Sequence, residues 1–71
     1  MKPMEKFTLK TAREKCDLNQ TQAAEYLGIS VDTLGNYERG KTYPDVPMIQ
    51  KMEKLYEITY NQLIFLQINN G

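Results

Sequence analysis

Asn19-Gln20-Thr21-Gln22-Ala23-Ala24-Glu25-Tyr26-Leu27-Gly28-Ile29-Ser30-Val31-Asp32-Thr33-Leu34-Gly35-Asn36-Tyr37-Glu38-Arg39-Gly40 carries the architecture of this chain. Asn19 is a capping residue, and Ala23, Ala24 and Leu27 after it recur at helical spacing on one side. Gly28 supplies the positive φ at which such a helix stops. Ile29 fits the corner, Ser30 is a second cap, and Leu34 with Tyr37 returns to the same apolar side. Small Ala24 sits where two steeply crossing helices come closest. The pattern predicts two short helices joined by a tight glycine turn.

Outward from this core, helical spacing continues in both directions. Leu9, Ala12 and Cys16 form one stripe, predicting a first helix from about Thr8 to Cys16 that ends at Asp17, a residue tolerant of the left-handed conformation. Lys41, Thr42, Tyr43 and Pro44 read as a loop. Asp45 caps a fourth helix with Pro47 in its permissive first turn, and Thr59 caps a fifth, roughly Tyr60 to Leu66 or beyond. Phe65-Leu66-Gln67-Ile68 can also extend as a short strand, but helix is the simpler expectation. The expected fold is all-α: a compact five-helix bundle over 8–68, after a flexible arm at 1–7 and before a disordered tail at 69–71.

The central segment resembles the helix-turn-helix of the phage Cro and repressor family, the XRE-type regulators. Tyr37-Glu38-Arg39-Gly40-Lys41-Thr42-Tyr43-Pro44 is similar to that family's aromatic-Glu-x-Gly-Lys-x-x-Pro segment. Leu9, Ala12 and Arg13 resemble its first helix. Val46, Ile49, Met52, Leu55, Ile58, Thr59 and Leu63 fall where its later helices keep apolar or capping residues. The resemblance covers about Thr8 to Leu66. It implies a bundle that sets its third helix into the major groove of double-stranded DNA.

By that resemblance, Val31, Asp32 and Asn36 reach base edges, and Gly35 shares their outward face. Val31 offers methyl groups suited to thymine, Asp32 can accept from cytosine, and Asn36 can pair bidentately with adenine. Asp32 has an equal structural reading, neutralising the positive start of its helix. Gly35 either lets the helix backbone approach the DNA closely or is an indifferent surface position. Phosphate contacts are expected from Gln20, Thr33, Arg39, Lys41, Thr42 and Tyr43. Tyr43 can equally lie over Pro44. The resemblance also implies a partly desolvated ion pair between Arg13 and Glu38, a structural role, the alternative being that each points to solvent.

Composition bounds these expectations. Nine basic and nine acidic residues give zero net charge, where a DNA binder usually carries a basic surplus. The distribution therefore has to carry the binding: Lys10, Arg39 and Lys41, with the arm residues Lys2 and Lys6, gather near the motif, and Glu53 and Glu57 lie on the far side. One cysteine excludes an internal disulfide and fits a reducing cytoplasm. Cys16 reads as a small buried hydrophobe, with a reactive thiol as the alternative. There is no histidine, and the one serine, Ser30, is used as a cap, so an enzyme is not expected. No cofactor, metal or small-molecule ligand is implied, and no membrane span or signal-peptide core.

The tail holds Tyr60, Leu63, Ile64, Phe65, Leu66 and Ile68 within nine residues, more than one helix can turn inward. Phe65, Leu66 and Ile68 are therefore expected at a two-fold dimer contact on a near-palindromic operator, the alternative being that Phe65 and Ile68 fold back over the fourth helix. The expected protein is a small, stand-alone Cro-like regulator of phage, prophage or mobile-element type, a repressor by resemblance. The alternative is a helix-turn-helix module that binds another regulatory protein, antirepressor-like, with little affinity for DNA.

Overall fold

The computed structural model describes residues 5–65. Four α-helices form the body: α1 (Leu9–Lys15), α2 (Gln20–Leu27), α3 (Val31–Arg39) and α4 (Val46–Tyr56). Each begins at a cap whose side chain accepts a backbone N–H in the first turn. Thr8 accepts from Thr11, Asn19 from Gln22, Ser30 from Thr33 and Asp45 from Met48, at 2.7 to 3.1 Å. Gln22 answers Asn19 by accepting that residue's own N–H at 3.0 Å, completing a capping box.

Helix ends are equally regular. All four helices finish at a left-handed residue: Asp17, Gly28, Gly40 and Glu57. At Gly28 the following N–H, of Ile29, returns to Ala24 O at 3.0 Å. At Gly40 the N–H of Lys41 returns to Asn36 O at 2.9 Å. Both bonds add to those that the glycine N–H groups make to the last-turn carbonyls, and the bend turns the chain sharply. The turn between α2 and α3 is thus fixed at both of its ends by sequence.

The core lies where the four helices meet. Leu9, Ala12, Ala23, Ala24, Leu27, Leu34, Met52, Tyr56, Ile58 and Leu63 are buried in it. Leu27 and Leu34 face each other's helices across the turn, and burying each contributes about 2 to 3 kcal/mol. Ala24 is buried as the close crossing requires. Lys15 Nζ donates to Tyr56 O at 3.1 Å, and the half-buried Cys16 Sγ lies 3.5 Å from the same carbonyl. The end of α1 thereby satisfies the open end of α4. The hydroxyl of fully buried Tyr56 has no hydrogen-bond partner among the described residues.

The expected fifth helix does not form among the described residues, which hold four α-helices. Thr59 begins only a 3-10 turn, Tyr60–Gln62, tethered by Tyr60 N–H to Glu53 Oε2 at 2.8 Å. The chain then extends as β2 (Leu63–Ile64), which pairs in parallel with β1 (Phe7–Thr8), Phe7 opposite Leu63 and Thr8 opposite Ile64. The physical reason is the crowding of apolar residues already visible in this segment. A helix would leave several of them stranded, whereas the strand's alternation buries Leu63 and turns Ile64 outward. The pairing also moves the start of the ordered domain: Phe7, expected in the flexible arm, is half-buried in β1. The tail at 69–71 lies outside the described residues.

Candidate nucleic-acid interface

The buried clamp beneath α3 fixes the angle at which that helix is presented. Arg13 Nε donates to Glu38 Oε2 at 2.7 Å, and Nη2 donates to Oε1 at 3.2 Å. This is the expected ion pair, with both side chains nearly sealed from solvent. Arg13 Nη1 also donates to Leu18 O at 2.8 Å, which ties the loop before α2 into the same network. Hydrogen bonding to Glu38 is the largest influence holding the Arg13 pKa above its ordinary value.

Gln20 joins this clamp. Its Nε2 donates to Glu38 Oε1 at 2.9 Å, and since a carboxylate only accepts, the facing atom of the amide must be the nitrogen. Glu38 therefore receives three hydrogen bonds from two elements. Sequence reasoning placed Gln20 on phosphate alone and missed this anchoring role. Its position at the first turn of α2 still leaves a second amide hydrogen.

The outward face of α3 has a mixed composition. Val31 is exposed, an apolar residue turned to solvent on a helix of the core. Asp32 is exposed in the first turn, where its charge opposes the helix dipole, in keeping with the structural reading. Thr33 accepts from Ser30 Oγ at 2.9 Å and is half-buried, with its own hydroxyl hydrogen uncommitted by that bond. Asn36 is half-buried.

Two positions depart from expectation. Gly35, expected to be open on the outward face, is buried. The cover is Arg39: a Cβ built on Gly35 would lie 3.1 Å from Arg39 Nη1. Arg39, expected on the phosphate rim, instead leans back along α3 and donates from Nη2 to Asn36 Oδ1 at 2.7 Å. The spacing alone held the signal, because Asn36 and Arg39 are three residues apart and Gly35 and Arg39 four, so both pairs share a helix face.

Beyond Gly40 the rim residues Lys41, Thr42 and Tyr43 are exposed. Tyr43 also meets Phe65 edge-on, with ring centroids 6.3 Å apart, and Tyr60 tilts against the other side of Phe65 at 6.0 Å. Phe65, expected at a dimer contact, is thus half-buried within its own chain. Leu66 and Ile68, expected beside it, lie outside the described residues. Beside this aromatic group lies a shallow depression lined by Tyr43, Pro44, Ile49, Tyr60 and Phe65, with exposed Val46 close by.

Two helices at a glycine corner, the second held by a buried clamp and open along one face, define a helix-turn-helix domain. The chain belongs to the helix-turn-helix family, whose model matches residues 9–63, in agreement with its resemblance to the Cro and repressor type. It is similar to the HTH-type transcriptional regulator ImmR of Bacillus subtilis (strain 168), with 39% identity over 56 residues. That match covers 79% of this chain and 44% of the relative, so the chain spans under half of that protein's length. No solved structure matches the chain. No helix among the described residues is long and apolar enough to cross a membrane.

Proposed function

We propose that this domain binds double-stranded DNA sequence-specifically, with α3 in the major groove, as a small transcriptional regulator. The observation that carries the reading is the placement of Val31, Asp32 and Asn36 on the outward side of a helix whose inner side is locked by Arg13, Glu38 and Gln20. A recognition helix needs this combination, since base readout depends on fixed geometry. Family membership and the regulator named among its relatives support the reading. In it, Val31 meets thymine methyl groups and Asn36 pairs with adenine. Gln20, Thr33, Lys41, Thr42 and Tyr43 hold phosphates on the two rims, aided by the free amides at the start of α2.

The regulator is a repressor of phage, prophage or mobile-element type, acting in the cytoplasm. It binds as a homodimer with recognition helices about 34 Å apart on a near-palindromic operator. The exposed side chains of Val46 and Tyr60 beside Phe65 suit the contact between the two copies. Zero net charge keeps a second reading in view, a module that binds another regulatory protein.

Selection of bound duplexes from a random pool, followed by affinity measurements on the selected site and on random DNA, tests the proposal. Asn36→Ala is expected to lose about 1–3 kcal/mol on the selected site and little on random DNA. Equal losses on both would remove Asn36 from base readout, and no enriched sequence would favour the protein-binding module.

A further inference from the structure

Arg39 is the only cation on α3, and its setting is unlike that of a rim lysine. A helical side chain leans toward the N-terminus, over the turn before it. Arg39 accordingly runs back along the exposed face instead of off the end of the helix. Its Nη2 donates to Asn36 Oδ1 at 2.7 Å. The guanidinium carries only donors, so the amide atom facing it must be the oxygen. Nη1 stands 3.1 Å from where a Cβ of residue 35 would be, so the absence of a side chain at Gly35 makes room for the group. Gly35 is buried beneath it while Arg39 itself remains exposed.

We propose that Arg39 is a base-reading residue that recognises guanine in the major groove, with its guanidinium oriented by Asn36 and seated over Gly35. The inference rests on the DNA-binding reading of α3 given above. A phosphate asks only for positive charge, whereas guanine asks for two donors in a plane, aimed at O6 and N7. The bond to Asn36 spends one Nη2 hydrogen and leaves the other, with both on Nη1, for the base. It also holds a long side chain in one arrangement before DNA arrives, which lowers the ordering cost of binding. The neighbouring side chains suit other bases: Val31 thymine, Asn36 adenine, Asp32 cytosine. Arg39 completes the set with the one group on this helix able to grip guanine bidentately.

The test compares the wild-type domain with Arg39→Ala and Arg39→Lys by selection from a random duplex pool. Affinities are then measured on the selected site with each base in turn at the guanine position. Wild type is expected to enrich a guanine at one position of each half-site. Arg39→Ala should lose roughly 5- to 150-fold of the preference at that position alone. Arg39→Lys should keep wild-type affinity for random DNA, because the charge remains, and still lose the preference. Thermal melting should be unchanged in both variants, as Arg39 is exposed and its bond is local.

Full preference in Arg39→Lys would overturn the proposal. So would a uniform loss in Arg39→Ala with a salt slope lower by about one, the mark of a phosphate contact. Selective binding by wild type, with both variants unaltered in preference, sinks this inference and leaves the DNA-binding reading standing. A wild type that binds no duplex sinks both.

Discussion

Arg13→Met removes one half of the clamp beneath α3, and its consequence can be worked from the structure. Glu38, with only 4% of its side chain exposed, would lose the 2.7 Å and 3.2 Å bonds and keep Gln20 at 2.9 Å. Leu18 O would lose its guanidinium donor as well. Breaking one side of a buried pair costs about 3–5 kcal/mol, and the surviving Gln20 bond places this case near 3 kcal/mol. A domain of this size is stable by only about 5 kcal/mol, so more than half of the stability goes. The melting temperature should fall by roughly 12–24 °C. Urea denaturation followed by far-UV circular dichroism measures the loss directly. Glu38→Leu should be similarly costly, and the double variant should cost less than the sum of the singles by at least about 2 kcal/mol, since no charge is then left unpaired. A single-variant loss below about 1 kcal/mol, or strict additivity, would refute the reasoning. Because Glu38 raises the Arg13 pKa, this contribution stays intact through neutral pH and fades only in strong alkali.

Tyr56 gives a second prediction, for burial pushes its hydroxyl up to about 12 from the ordinary 10.0. The neutral hydroxyl costs the fold nothing below pH 10, and because burial penalises its ionised form, stability is lost as pH rises between pH 10 and about 12. Urea melts of wild type and Tyr56→Phe at pH 8 and pH 11 should show a steeper alkaline loss in wild type. At pH 8 the phenylalanine variant should be no less stable, because the hydroxyl it removes has no partner among the described residues; a loss above about 1 kcal/mol at pH 8 would contradict this. Glu57→Gly should raise stability by about 0.5–1 kcal/mol, as it relieves a left-handed non-glycine residue and removes a negative charge from the end of α4. A lower denaturation midpoint in that variant would show that Glu57 is held there by something other than backbone geometry.

The parts legible in the sequence are those governed by local chemistry. Asn19, Ser30 and Asp45 identify helix starts because a cap acts within three residues, and Gly28 marks the corner because few other residues adopt its φ. The ion pair spans 25 residues, and only resemblance brought Arg13 and Glu38 together before the fold did. The end of the chain was not legible. A two-residue parallel strand has no periodicity to detect, and its partner, Phe7, lies at the opposite end of the domain. Glu57 carries no glycine-like signal for the left-handed conformation that ends α4. At the site, spacing identified which residues share the outward face, but not that Arg39 folds over Gly35. That depends on the direction of a long side chain once the helix exists.

The central claim, that α3 and its rims form a DNA-binding surface despite zero net charge, is tested most directly by salt-dependent affinity for a selected duplex. Fluorescence anisotropy between about 50 and 200 mM salt should give a straight fall of log affinity with log salt, from counterions released at the phosphates. Lys41→Ala, on the exposed rim, should make that slope shallower by about one per subunit. Binding that ignores salt, or no binding to any duplex across that range, would contradict the account.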